Sequence, residues 1–278
     1  MRYGPDHRHA LAALLLLAAC GGGGTGDDLP QSGDPAPVDP SFPVGTSEAM
    51  LSFTGFEGDG TRVGGENESL VNLGTGAVTG GRFAGTLNAA RTRIDLADGG
   101  TVLLSNPGAT EYVRIFESSP AAGDPSFGVL GFLSEPGDLP DSGRVSYTGA
   151  AEVTAADATR IYSLDGTAFI VADFGDGTVR IELQDLGGTA QGVSPGNTGP
   201  VTVPEGGLIA VDGSRISGAT FSGGTASVSG LPFSITSGAD ASGTNGGFFG
   251  PDADEVAGRV LVDDPRGDVG ILGLFAAD

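Results

Sequence analysis

Residues Gly246 to Val260 read GGFFGPDADEVAGRV. Two adjacent phenylalanines, Phe248 and Phe249, run into the pair Gly250-Pro251, and three acids follow at Asp252, Asp254 and Glu255. The stretch is either a carboxylate site or a corner. Glycine caps a short helical turn well, proline suits its first position, and acids in that turn complement its positive dipole end. Gly258 then releases the chain into an extended run. The segment therefore reads as a structural corner pinned by its two aromatic anchors. A catalytic role for the three acids is the weaker reading, because no second feature of the sequence supports it.

Immediately downstream, VGILGLF (Val269–Phe275) is apolar on both faces. At a period of two, Val269, Ile271 and Phe275 share one side, and Leu272 and Leu274 the other. One side fills a core, so the other needs a cover, which an N-terminal subdomain would provide. Upstream, TVRIEL sets Val179, Ile181 and Leu183 against Thr178, Arg180 and Glu182, and Gly175-Asp176-Gly177 before it is a hairpin signal. Further short runs lie at Met50–Phe56, Ala77–Leu87, Thr92–Leu96, Thr101–Ser105, Tyr112–Glu117 and Phe127–Leu133. Others follow at Arg144–Thr148, Arg215–Phe221, Ala226–Ser229 and Val256–Val262. No run beyond residue 46 has a helical period, so the chain is all-β and antiparallel. Glycine supplies 51 of 278 residues, far above the usual level of about 7%. Several fall inside strand-like runs, as at Gly85, Gly131, Gly218, Gly258 and Gly273, where they permit sharp curvature. A small closed barrel fits better than a flat sandwich.

The stretch GGFFGPDADEVAGRVLV, followed by GDVGILGLFAAD, resembles the C-terminal signature of the transferrin-binding protein B β-barrel family. That signature runs Gly-aromatic-Tyr-Gly-Pro-Asn/Asp-Ala-x-Glu-x-Gly-Gly. Onto it fall Phe248, Phe249 (for the tyrosine), Gly250, Pro251, Asp252, Ala253, Glu255, Ala257 (for a glycine) and Gly258. LPDSGRVSYTGAAEV (Leu139–Val153) and DFGDGTV resemble earlier barrel strands, so the likeness covers roughly residues 112–278. It implies a closed antiparallel barrel of about eight strands over residues 110–278, preceded by a β-rich handle-like subdomain over 45–109. The full receptor has two such lobes and this chain has room for one. No counterpart of the transferrin-contacting surface is visible, so transferrin binding does not carry over.

The N-terminus combines Arg2 and Arg8 with the apolar run ALAALLLLAA (Ala10–Ala19) and then Cys20, the only cysteine. The run is too short to span a bilayer. LAAC (Leu17–Cys20) resembles a bacterial lipobox, which implies a signal peptide over residues 1–19 and a diacylglycerol-modified, further acylated (palmitate-type) Cys20. In that family an aspartate after the cysteine marks inner-membrane retention; Gly21 stands there, so the outer membrane is expected. Residues 20–44 are rich in Gly, Pro and Asp and form a flexible tether.

The formal net charge is −22, and loss of residues 1–19 makes it one unit more negative. Such a surface repels nucleic acid and anionic headgroups and favours basic partners. There is no lysine and no tryptophan, and both histidines, His7 and His9, lie in the signal peptide. Ser-His and Cys-His catalysis, Schiff-base chemistry and His/Cys zinc sites thus lack their groups. No metal site and no cofactor is expected, and only carboxylate chemistry of the glycosidase kind survives. G-x-S-x-G at Gly192–Gly196 has no histidine to activate Ser194 and a proline where a helix would begin. G-x-G-x-x-G at Gly21, Gly23 and Gly26 follows no strand. Arg266-Gly267-Asp268 and the GDGT repeats at Gly58–Thr61 and Gly175–Thr178 read as hairpin turns rather than adhesion or calcium motifs.

The resulting expectation is a non-enzymatic, monomeric, surface-displayed outer-membrane lipoprotein that binds a solute or a partner protein. The resemblance links such a role to iron or haem acquisition, for which Tyr112, Tyr147, Tyr162 or Met50 would have to supply any haem ligand. The alternatives are a structural or adhesion envelope lipoprotein without a small ligand and, last, a carboxylate-based glycoside hydrolase.

Overall fold

The structure is a computed structural model that describes residues 47–57, 65–72, 74–122, 125–135, 137–193, 199–236, 238–241, 243–266 and 269–278, with side chains from residue 69 onward except at Asp263. The expectations for Cys20 and the tether, for Gly58–Thr61, for Ser194, for Gly267-Asp268 and for the side chain of Met50 lie outside these residues.

The chain forms two rings of antiparallel strands. The first takes eight strands in chain order: β1 (Ser47–Glu57), β2 (Gly65–Asn72), β3 (Ala77–Thr79), β4 (Gly85–Leu87), β5 (Arg93–Leu96), β6 (Thr101–Ser105), β7 (Val113–Ser119) and β8 (Ser126–Phe132). It closes where β8 pairs with β1, Phe53 opposite Val129. The second sheet contains β9 (Arg144–Asp157), β10 (Arg160–Asp173), β11 (Thr178–Gly192), β12 (Pro200–Ser217), β13 (Thr220–Ser222), β14 (Thr225–Ser229), β15 (Ala239–Asp240), β16 (Asn245–Phe249), β17 (Glu255–Asp263) and β18 (Val269–Ala277). Its pairings run from β9 through β10, β11, β12, β13, β16, β17 and β18 back to β9, an eight-stranded closed barrel, while β14 and β15 bridge β12 and β17. The all-β closed barrel expected from the sequence is the fold.

The division between the two units differs from the sequence reading. β7 and β8, assigned there to the barrel beginning at residue 110, pair with β6 and β1 and complete the first ring. The change of sheet falls between Phe132 and Arg144. The first unit is therefore itself closed, because its first and last strands need each other's backbone hydrogen bonds. Two runs read as single strands are interrupted: Ala77–Leu87 is the pair β3 and β4, and Arg215–Phe221 turns at Gly218, which has φ +60°.

Three apolar layers follow from the period-two pattern. The first ring is filled by Val71, Val78, Phe83, Ile94, Val102 and Phe116, with Phe83 edge-on to Phe116 at 4.9 Å. The second is filled from every strand; on β11 Val179, Ile181 and Leu183 are buried while Arg180 is exposed. Between the rings lies a third layer, in which Val113, Ile115 and Val129 from outside the first ring meet Leu261, Leu272, Leu274 and Ala276 from outside the second. β18 thus divides as its sequence implies: Val269, Ile271 and Phe275 enter the barrel, and Leu272 and Leu274 are covered by the first ring. Each fully buried Phe or Leu contributes about 1.5–3 kcal/mol.

At the corner, strand alternation sends the two phenylalanines to different layers. Phe248 enters the barrel against Tyr147, Phe174 and Phe221, at 6.3, 5.0 and 5.7 Å between ring centres. Phe249 joins the layer between the rings. It packs where Gly131 leaves room, since a Cβ there would stand 2.7 Å from the Phe249 ring. The turn itself is only Pro251–Ala253, a single 3-10 turn in which Asp252 is left-handed and no side chain caps the start. Too few peptides align to make a dipole, so the electrostatic account of the acids does not hold. What fixes the corner is a set of contacts to its backbone: the Gly250 N–H donates to Phe132 O at 3.0 Å, the Ser134 hydroxyl to Gly250 O at 2.6 Å and the Tyr147 hydroxyl to Ala253 O at 2.9 Å.

Gly250 has φ +76°, and a Cβ there would lie 2.4 Å from the Tyr112 ring. Gly250→Val is expected to cost about 3 kcal/mol, from left-handed strain plus overpacking. Urea denaturation of the variant and the parent measures this, and equal midpoints would refute the geometry.

Candidate functional site

The motif residues divide between the turn and the strands on either side of it. Asp252 and Asp254 are exposed on the turn, whereas Glu255 opens β17 and is 3% exposed. Its carboxylate accepts the backbone N–H groups of Glu111, of Tyr112 (2.9 Å) and of Val113 (3.1 Å), on the segment that leads into β7. Burial pushes its pKa above the ordinary carboxylate value, while the three N–H donors and nearby Arg114 pull it back. Glu255 is therefore no acid of the turn: it ties the second ring to the first. With every oxygen committed to the backbone, it has no free position for a substrate. The sequence could not reveal this, because its partners lie at positions 111–113.

The tyrosines offered as haem ligands are engaged. The Tyr147 hydroxyl holds Ala253, and burial pushes its pKa up to about 12. The Tyr162 hydroxyl donates to Asp157 at 2.7 Å, and burial together with that acid raises its pKa further. Tyr112 lies flat against Gly250. Among the described residues no group of three or more His, Cys, Asp or Glu is placed to hold a metal ion, and no helix is long and apolar enough to cross a membrane.

Beside the apolar layer, strands of both rings line a cleft of about 380 Å³. Its origin lies in cross-strand rows. On the first ring, Glu117 of β7 continues the outward line Val113, Ile115 and stands between Leu103 of β6 and Phe127 of β8. On the second, Asp165 of β10, Glu152 of β9 and Leu274 of β18 form one row, and Ser163, Thr154 and Leu272 form the next. The apolar contact seen at Ile115 thus gives way, one row on, to Glu117 on one wall and to Glu152 and Asp165 on the other. No basic side chain lines the cleft. Burial raises the pKa of Glu117, and burial with neighbouring Asp165 raises that of Glu152. None of these three positions was singled out in the sequence, where each is an ordinary outward residue of a strand.

No curated protein matches the sequence. Among solved structures it resembles a transferrin binding protein B double mutant of Haemophilus parasuis, at 19% identity over 84% of this chain and 44% of that one, with a TM-score of 0.47. It also resembles the isotype 1 transferrin binding protein B of Neisseria meningitidis, at 15% over 84% and 43%, with a TM-score of 0.46. A third is HpuA of Kingella denitrificans, solved in complex with human haemoglobin, at 13% over 84% and 85%, with a TM-score of 0.39. The chain spans less than half the length of the two transferrin binding proteins. Residues 139–278, half of the sequence and the whole of the second ring, match the model for the C-lobe and N-lobe beta barrels of Tf-binding protein B, and the chain belongs to that family.

Proposed function

We propose that this protein is a lipid-anchored protein of the outer-membrane surface that binds a partner protein and catalyses no reaction. The observation that carries the reading is the cleft between the rings, the one concavity described above in which apolar and ionisable groups converge. The family supports a binding role: HpuA was solved with haemoglobin, and other relatives carry transferrin binding in their names. Attachment through Cys20 would hold the rings at the membrane by a tether over residues 20–44, leaving the cleft accessible. A hydrolase reading finds no support, since the acids of the family motif are either exposed on the turn or bound to backbone.

Two measurements test this. In cells, wild-type protein is expected to incorporate labelled fatty acid and fractionate with membranes, and Cys20→Ser to lose both properties. A Cys20→Ser protein that stays in the membrane fraction would remove the anchor from the proposal. The soluble Cys20→Ser full chain, immobilised and exposed to host serum and haemolysate, is expected to retain a defined protein with saturable binding. Absence of any saturable protein ligand would overturn the binding role.

A further inference from the structure

We infer that Pro200 and Pro204 keep an open edge of the second barrel from pairing with a second copy of this chain. The edge belongs to the first half of β12. β11 pairs with that strand on one side from Pro200 onward, whereas β14 covers its other side only from Leu208 to Asp212. Among the described residues no backbone hydrogen bond reaches residues 200–206 from that other side. Apart from Val203 these residues are exposed, Val201 by 46%. An exposed strand edge is a template for another strand.

The direction of each N–H follows from the neighbouring pairings. Successive residues of a strand bond alternately to its two sides. The Val193 N–H, just past β11, donates to Thr159 O at 2.9 Å, so it faces β10. Gly192 and Ala190 therefore face β12, and Val201, directly opposite Ala190, faces back. Val203 follows the same side as Val201, which turns Pro200, Thr202 and Pro204 outward. Two of these three are proline, which has no N–H to offer. Outward is also the side on which proline fits, since a proline facing β11 would interrupt the ladder.

The spacing of the prolines selects the partner that they exclude. Two copies meeting edge to edge about a two-fold axis would set Thr202 against Thr202 and Pro200 against Pro204. The central pair can exchange both of its hydrogen bonds, and the flanking pairs can exchange none. Val201-Thr202-Val203 is otherwise a good strand former, so the missing donors, and not the composition, are what leave the edge unpaired.

Hydrogen exchange and sedimentation equilibrium of the Cys20→Ser full chain test this. With both prolines in place, the Thr202 amide should exchange at least about tenfold faster than those of Val201 and Val203. Equal protection at the three positions would overturn the proposal before any edge residue is changed. Pro200→Thr/Pro204→Thr should self-associate into dimers at least about tenfold more tightly than the parent, and its Thr202 amide should become protected as concentration rises. Adding Thr202→Pro to that double variant should return it to monomer. Pro204→Thr alone restores one donor to each flanking pair and should fall between parent and double variant. Thr202→Val keeps the central N–H and both prolines, and should sediment like the parent. A double variant that retains its circular dichroism and stays monomeric would refute the inference, as would dimerisation that survives Thr202→Pro. If the double variant does not fold, the exchange rate of Thr202 in the parent and the sedimentation of Pro204→Thr decide the matter.

Discussion

Protein lacking residues 269–278 is expected to show no cooperative thermal transition and to aggregate on concentration. β18 pairs with β17 on one side and with β9 on the other, so its removal frees two long edges at once. It also removes Val269, Ile271 and Phe275 from the barrel core and Leu272, Leu274 and Ala276 from the layer that holds the rings together. Truncating one buried Phe or Leu costs about 2–5 kcal/mol, and whole domains are stable by only about 5–15 kcal/mol. The deletion therefore exceeds the stability available. Calorimetry and dye binding to exposed apolar surface report the outcome, and a truncated protein that melts like the parent would show that the barrel does not close through this strand.

Glu255→Ala is the second change expected to have a large effect, about 3 kcal/mol or more, because it strands three backbone donors whose acceptor was buried. In a protein of this size that corresponds to a fall in Tm of roughly 10 °C. Glu255→Gln should recover only part of the loss, since an amide presents hydrogens to at least one of those donors. Asp252→Asn and Asp254→Asn, at exposed positions of the same corner, should change stability by less than about 0.5 kcal/mol. The contrast separates a tie between rings from a generic acidic turn: if all three acids behave alike in thermal melts, the tie is refuted. Glu255→Ala should also quicken hydrogen exchange at Tyr112 and Val113 before that of β17.

Much of the second ring was legible because its signals are local. TVRIEL alternates so plainly that one face of β11 follows from six letters, and the two-sided apolar run of β18 announced both a core and a cover. The turn before β11 was visible in Gly175-Asp176-Gly177, where the Asp173 carboxylate indeed accepts the Asp176 N–H at 3.0 Å. Pairing between distant strands was not legible. Nothing in Ser126–Phe132 says that its neighbour is β1 rather than a barrel strand, so the first ring was read too short. All but the last residues of β12 escaped notice because Pro204 and three glycines interrupt its alternation, although it runs from Pro200 to Ser217. The partners of Glu255 were not legible, since a carboxylate next to a turn looks the same whether it faces water or another segment's backbone. The cleft was invisible for a related reason: Glu117 and the pair Glu152 and Asp165 come from different sheets, and only the packing of the rings brings them to one cleft.

The two closures also set an order of events in time. The strand pairing of the first ring needs nothing beyond Phe132, so its closure can begin once that residue is free of the ribosome or the export machinery. The second cannot: Gly149 of β9 waits for Ala277, and the sheet keeps open flanks, on β9 and finally on β17, until β18 arrives. Pairings this remote in sequence are slow, and an exposed flank is where chains stick to one another. The early ring is thus a finished surface on which the late one can assemble, with Val113, Ile115 and Val129 already in place to receive Leu272 and Leu274. On that order, the same layer that fastens the mature halves together would serve, during biogenesis, as a template that shortens the life of the vulnerable intermediate.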